Sequence, residues 1–310
     1  SFIFSSKGEH MFWNGRKNKS KPQIKTIPYP EFIPKEIPKW QAAYDECTKK
    51  SDNHQQNEKN HNVKNEWENK FLKSFQKLSY KYRVWDVWKD YVTLNACAIS
   101  NAFDKGNYEH REKRYLEIIG RYSKDEQQIF PELAAYTVMA LEENSEQDFL
   151  GKMYMDLELG NRSSGQFFTP YNVCELMAEM TVQDAVEKIS GQGYVSIYDP
   201  CCGAGATLIA GANAIRKELE KDKQQLNYQN HVLVIAQDID EVVALMCYIQ
   251  ISLLGLAGFV KVGNSITNPI STDDSFENYW YTPMYFSDVW KTRRTIKQIN
   301  QLFGNDEEQR

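Results

Sequence analysis

The sequence predicts an α/β protein in which a doubly wound core follows an N-terminal helical domain. Three observations carry that expectation. Apolar residues recur at helical spacing between about residues 40 and 160, short apolar strands alternate with helical stretches beyond about 165, and two of those strands end in an aspartate. Strand–helix units repeated at this length imply a parallel sheet with helices packed against it.

In the helical stretch, Trp67, Phe71, Phe75 and Leu78 fall at helix spacing, as do Trp85, Trp88, Tyr91 and Val92. Further apolar stripes follow at Leu116 and Ile119 and from Phe130 to Leu141. Aromatics on such stripes are read as core. The polar run at 51–62 reads as an exposed loop, which leaves His54 and His61 without a metal-site context. Residues 12–30 carry Arg16, Lys17, Lys19, Lys21 and Lys25 and no acid, and Pro28, Pro30, Pro34 and Pro38 follow. That composition marks an extended arm, and both a phosphate-contacting tail and a solvated terminus fit it. His10-Met11 reads as an expression-vector junction with the natural start at Met11, so residues 1–10 are set aside. The expected organisation is an arm over 1–39, a helical domain over 40–160 and an α/β core over 161–310.

The chain has 310 residues, 41% of them hydrophobic and 25% charged, enough for a sizeable core. A net charge of −5 excludes a molecule whose whole surface attracts nucleic acid, so a DNA partner requires a local basic patch. The six cysteines form no C-x-x-C pair, and Cys201 and Cys202 are adjacent, a poor arrangement for structural disulfides. Reduced thiols, and an opening SFIFSSKGEH without a secretory pattern, point to a cytoplasmic location. Residues 242–260 are uncharged, but Gln250, Ser252, Gly255 and Gly258 interrupt them. A buried helix running into a buried strand is expected there, not a membrane span.

The chemistry gathers at strand ends. The strand at 194–199 stops at Asp199, and Pro-Cys201-Cys202-Gly203-Ala-Gly205-Ala-Thr-Leu then turns through glycines into a helix. Glycine allows the tight turn and a close approach of ligand to backbone. A pyrophosphate loop would read G-x-G-x-x-G and a P-loop would carry Gly-Lys-Ser/Thr, and neither is present. An acid before the turn suits a cationic ligand, such as a sulfonium amino acid, better than a polyphosphate. The next strand, 231–238, ends in Asp238, placed to accept both hydroxyls of a ribose. The third, 258–264, ends at Gly263-Asn264-Ser265 on the same carboxyl edge. Upstream, Gly165-Gln-Phe-Phe168-Thr169-Pro170 opens a helix, with Thr169 a fitting N-cap and Pro170 a fitting first residue.

In that order, GQFFTP, DPCCGAGATL, AQDID and GNSI resemble the motifs of adenine-N6 DNA methyltransferases, most closely the modification subunits of type I restriction systems. The likeness runs over roughly residues 148–290. It implies a Rossmann-like methyltransferase core, S-adenosylmethionine as cofactor, DNA as substrate and a separate specificity or partner subunit. By resemblance, Phe168, Thr169 and Pro170 would contact the methionine part of the cofactor. Asp199, Cys201, Gly203 and Gly205 would line its main pocket, Asp238 would hold the ribose with Ile239 beside it, and Asn264 would lie near the adenine.

The family's acceptor motif is Asn/Asp-Pro-Pro-Tyr/Phe, and its counterpart here is Thr282-Pro283-Met284-Tyr285. Thr282 replaces the amide and Met284 the second proline, while Pro283 and Tyr285 fit. The resemblance places Thr282, Pro283 and Tyr285 at a flipped-out adenine, with Tyr285 stacking on the base. The N6 lone pair of adenine is delocalised, and the family's amide oxygen and a backbone carbonyl localise it by accepting the amino protons. A threonine hydroxyl is shorter and must place its own proton. Losing such a preorganised hydrogen bond costs about 3 kcal/mol, or ~10²-fold in rate. Two functions therefore stand: a DNA adenine-N6 methyltransferase, and a weak or inactive relative acting as a DNA- or protein-binding regulatory module. A small-molecule or protein methyltransferase fits GQFFTP less well. The remaining residues read as one helix over 287–303 stopped at Gly304, with Val289, Ile296, Ile299 and Phe303 packing. Lys291, Arg294 and Lys297 form a basic stripe on it, either phosphate-contacting or simply solvated, and no target-recognition domain is visible.

Overall fold

A computed structural model describes residues 66–159, 168–221, 226–271 and 274–304 and the strand at residues 3–4; of 3–4 and 297–304 it describes the backbone alone. The basic arm, His54, His61 and Cys47 lie outside these residues.

From residue 66 the described residues begin with six helices: α1 (Glu66–Ser79), α2 (Val84–Phe103), α3 (Tyr108–Ile119), α4 (Lys124–Gln127), α5 (Ile129–Glu143) and α6 (Phe149–Asp156). Their stripes meet in an aromatic cluster, where the Phe71 ring is edge-on to Tyr91 at 5.3 Å and to Phe149 at 5.7 Å. Phe71, Phe75, Leu78, Trp88, Tyr91 and Val92 are fully buried, as their spacing predicts. Leu116 is not core: α3 buries the face of Arg111 and Ile118, and Leu116 points away from it. Trp85 also departs from the core reading, because it sits in the first turn of α2 at the end of the stripe and stands exposed.

The α/β part begins with α7 (Tyr171–Thr181) and α8 (Ala185–Gln192), the latter stopped by Gly193 in the left-handed region at φ +83°. Pro170, not Thr169, occupies the N-cap of α7, so the helix starts one residue later than the sequence pattern suggests. Then β2 (Val195–Asp199), α9 (Ala206–Lys221), β3 (Val232–Asp238), α10 (Glu241–Leu253) and β4 (Ala257–Val262) form two parallel strand–helix–strand units. Residues 242–260 thus fold as a helix running into a strand, and no described helix is long and apolar enough to cross a membrane. After β4, β5 (Tyr279–Tyr281) pairs antiparallel with it, and β1 (Ile3–Phe4) pairs antiparallel with β2. Ile3 and Phe4, which form that edge strand, belong to the stretch that the sequence pattern sets aside.

The strand order is β1-β2-β3-β4-β5. The fold is mixed α/β, but the expected double winding is not what the described residues show. A doubly wound sheet returns to the far side of its first strand, whereas these strands advance in one direction and the last turns antiparallel. Right-handed crossovers that advance the same way put α9 and α10 on one face of the sheet. That face is sealed by Ile197, Val234, Val260 and Trp280, while Tyr198, Leu233, Phe259 and Tyr281 on the other face are only half-buried.

The helices and the sheet share one core, with α2 packed along α10. The last element is α11 (Asp288–Gly304). Its packing residue is Trp290, which donates from Nε1 to the Gln229 carbonyl at 3.0 Å. Val289 and Ile296, expected to pack, are exposed instead, since Trp290, Arg293 and Arg294 occupy the buried side.

Candidate functional site

The carboxyl ends of β2 and β3 open into a cleft of about 210 Å³. Asp199 closes β2, where its carboxylate accepts from the Cys201 N–H at 3.0 Å and from the Thr207 hydroxyl. Asp238 closes β3 and accepts from the Gly203 N–H at 2.8 Å and the Asp240 N–H at 3.0 Å. An ionised carboxylate offers about four acceptor positions, so each aspartate retains capacity toward the cleft. Burial pushes the Asp238 carboxyl above its ordinary range, and the two backbone donors only partly offset it.

The glycine turn brings bare backbone to the floor. Gly203 has φ +52°, and a Cβ there would lie 3.3 Å from the Phe168 ring. Gly205 has φ +98°, and its Cβ would come within 2.9 Å of the Cys247 sulfur on α10. The turn is therefore pressed between Phe168 and α10. Cys202 faces inward, and its contact with Cys247 together with burial holds its thiol well above the usual range, so it stays neutral. Cys201 is exposed at the mouth, 3.9 Å from the Ser265 hydroxyl.

A third carboxylate, Asp148, lines the same cleft. It caps α6 by accepting from the Gly151 N–H at 2.8 Å, and it accepts from Gln250 Nε2 at 2.7 Å. Gln250, fully buried on α10, also donates to the Ala204 carbonyl at 2.9 Å and accepts from the Leu150 N–H at 3.0 Å. One side chain thus ties the helical segment to the glycine turn. Burial pushes the Asp148 carboxyl up despite these bonds. Three carboxylates and no lysine or arginine stand among the described lining residues, a chemistry that selects hydroxyl donors and cationic groups.

The model of the N-6 DNA Methylase family matches residues 145–306. The chain belongs to the N-6 DNA methylase family. No curated protein and no solved structure matches it. DNA methylation is the activity of that family, and the match takes in α6 with Asp148, the glycine turn and β5.

Of the residues the sequence singled out in this N-6 DNA methylase, Phe168, Thr169, Asp199, Cys201, Gly203 and Asp238 converge on the cleft. Pro170, Gly205, Ile239 and Asn264 do not line it. Pro170 caps α7, and Gly205 lies behind the turn, donating to the Cys202 carbonyl at 2.8 Å. Ile239 stands 68% exposed just beyond Asp238. The Asn264 side chain closes its own turn by accepting from the N–H groups of Ile266 at 2.9 Å and Thr267 at 3.1 Å.

Thr282, Pro283 and Tyr285 are not brought to the cleft, contrary to their expected place at the acceptor base. Because β5 runs antiparallel to β4, its end lies at the amino edge of the parallel strands. Thr282 pairs with Gly258, four residues and about 13 Å along β4 from Val262, which lies level with Asp238. Tyr285 packs against Tyr281 at 4.9 Å and beneath the Arg294 guanidinium at 4.0 Å. Arg294 also donates to the Tyr285 carbonyl at 2.5 Å, so this member of the basic stripe is engaged within the chain. Asp148 and Gln250 belong to none of the sequence motifs. The Asp-x-x-Gly cap pattern and a lone glutamine in an apolar helix were the signals that could have found them.

Proposed function

We propose that the cleft binds S-adenosylmethionine and that the chain is the cofactor-binding, modification-subunit-like component of a cytoplasmic DNA adenine-N6 methylation system of the restriction-modification type. The observation that carries this reading is the meeting of Asp199 and Asp238 at one glycine turn facing Phe168. The side chains suit the ligand. Asp238 accepts from ribose hydroxyls, Asp199 and Asp148 offset the sulfonium and ammonium charges, and Phe168 and Thr169 flank the methionine portion. The bare backbone at Gly203 leaves room that a Cβ would fill. When bound, S-adenosylmethionine supplies an electrophilic methyl group. A flipped adenine reaches it from the open carboxyl edge. The groups that accept the N6 protons there come from that edge or from a partner subunit, since Thr282 and Tyr285 stand at the other edge.

One observation favours a second reading, a catalytically silent binding module. The Thr282 N–H and hydroxyl are taken up by Gly258 and its carbonyl accepts from the Tyr285 N–H, so none faces the cleft.

Calorimetric titration with S-adenosylmethionine tests the cleft, with Asp199→Ala as control. Micromolar binding lost in the variant supports it; no heat from a folded wild-type protein sinks it. Tritium transfer from labelled cofactor to DNA then separates the two readings. Incorporation supports the enzyme, and binding without incorporation supports the module.

A further inference from the structure

Trp85 stands 38% exposed in the first turn of α2, although the helix stripe would bury it. Its ring is edge-on to Tyr154 at 6.2 Å, and Tyr154 contacts Phe168, a wall of the cleft, at 5.2 Å. Two ring contacts therefore separate an exposed indole from the candidate cofactor site. This end of α2 also lies near the carboxyl edge of the sheet. Lys89 acts electrostatically on Glu241, the first residue of α10, and Tyr154 feels the charge of Asp240.

Arg83, the N-cap of α2, precedes the indole by two residues and Lys89 follows it by one helical turn, both exposed and neither in an ion pair with a described residue. Asp86 is the one exposed acid between them, because Asp90 is buried and engaged by Tyr122 at 2.8 Å and Arg121 at 3.3 Å. In a chain of net charge −5 the exposed groups of this turn, two cations against one acid, are locally basic. Behind the indole, Trp88 and Tyr154 are fully buried and carry the aromatic cluster through to the cleft wall.

We propose that Trp85, with Arg83 and Lys89, forms the nucleic-acid-docking face beside the cleft; the inference rests on the DNA-methylating reading given above. The indole stacks on an unpaired base, and the two cations contact the phosphates on either side. An aromatic face accepts any base, so this surface holds the strand near the cleft without selecting sequence.

The test is fluorescence anisotropy on the full chain with S-adenosylmethionine present, using a fluorescein-labelled single strand and a duplex with one unpaired adenine. Trp85→Ala weakens binding by about 10- to 100-fold, the loss expected for one stacked base, while Trp85→Phe retains most of the affinity. Arg83→Gln with Lys89→Gln lowers the slope of log affinity against log salt by roughly 1.4 on the single strand. Tyr285→Ala, at the opposite edge, leaves DNA affinity unchanged. Wild-type DNA affinity in the Trp85→Ala protein overturns the proposal, and so does a wild-type protein that binds neither probe, or a loss of affinity in Tyr285→Ala alone. A protein partner on this face gives the first of those results. Failure of the cofactor reading is separate, because it shows as absent cofactor heat in calorimetry of the wild-type protein.

Discussion

Thr282 and Gly258 exchange two hydrogen bonds: the Thr282 N–H donates to the Gly258 carbonyl at 3.0 Å, and the Gly258 N–H donates to the Thr282 hydroxyl oxygen at 3.0 Å. The second bond substitutes a side chain for the next rung of the β4–β5 ladder. Thr282 is fully buried, so its hydroxyl has a structural task at this position. Thr282→Val keeps the shape and removes the acceptor, leaving a buried N–H unpaired. The expected cost is about 1–3 kcal/mol in urea unfolding, with cofactor heat unchanged. A Thr282→Val protein of wild-type stability would contradict the clasp.

The same placement bears on repair of the acceptor motif. Thr282→Asn with Met284→Pro restores the family's residues but leaves them at the amino edge of the sheet, away from Asp199 and Asp238. No gain in tritium transfer to DNA is expected, and the larger amide strains a site that has no exposed surface. Methyl transfer appearing only in the repaired protein would mean that β5 moves to the carboxyl edge in the working state.

Gly203 and Gly205 are expected to separate binding from stability. At Gly205, φ +98° and a Cβ within 2.9 Å of the Cys247 sulfur and 3.4 Å of its backbone make Gly205→Ala destabilising by about 1–3 kcal/mol. At Gly203, φ +52° lies in the left-handed well that side chains enter at modest cost, and the new methyl group would face the Phe168 ring. Gly203→Ala therefore keeps most of the stability and loses cofactor heat. Full cofactor affinity in Gly203→Ala would place the ligand elsewhere.

What the sequence disclosed follows from what local pattern can encode. The ends of β2 and β3 were legible because a strand, an acid and a glycine turn are contiguous, and Asp199, Gly203 and Asp238 do meet. The position of Thr282-Pro283-Met284-Tyr285 was not legible from the motif alone. It depends on whether the strand before it pairs beside β2 or antiparallel to β4, and that choice is made by long-range contacts such as Trp280 against Tyr248 at 5.5 Å. Trp85 fits a helical stripe as well as Trp88 does; only its place in the first turn leaves it exposed. Val289 and Ile296 were misassigned because one tryptophan, Trp290, set the buried side of α11.

Gln250 links Asp148, Leu150 and Ala204, so its loss is felt in both the helical segment and the cleft. Gln250→Leu keeps the volume but orphans the Leu150 N–H and the Ala204 carbonyl, each costing about 1–3 kcal/mol. Asp148 also loses a donor and is left half-buried with the Gly151 N–H as its one described partner. A drop in melting temperature together with weaker cofactor heat is expected. Lower stability with intact cofactor affinity would confine Gln250 to a packing role and leave the glycine turn independent of α6.

The pH dependence of binding has a definite sign. Burial raises the Asp238 carboxyl above its ordinary 3.8, with Asp240 and Asp199 adding to the effect against the backbone bonds from Asp240 and Gly203. Between 3.8 and the raised value the folded chain holds more protons than the unfolded one. This group's contribution therefore favours the folded free protein as pH falls into that window, and the benefit is lost as pH rises through it. Ligand binding runs the other way. Hydroxyl donors and a cation require the ionised carboxylate, so affinity falls as pH drops through the raised value and binding expels a proton. Calorimetry in two buffers of different ionisation enthalpy reads that proton directly. Near the raised value the apparent heat depends on the buffer, and Asp238→Asn reduces the dependence to the share carried by Asp148, which burial also raises. Identical heats in both buffers throughout the acid range would mean that Asp238 does not receive the ligand.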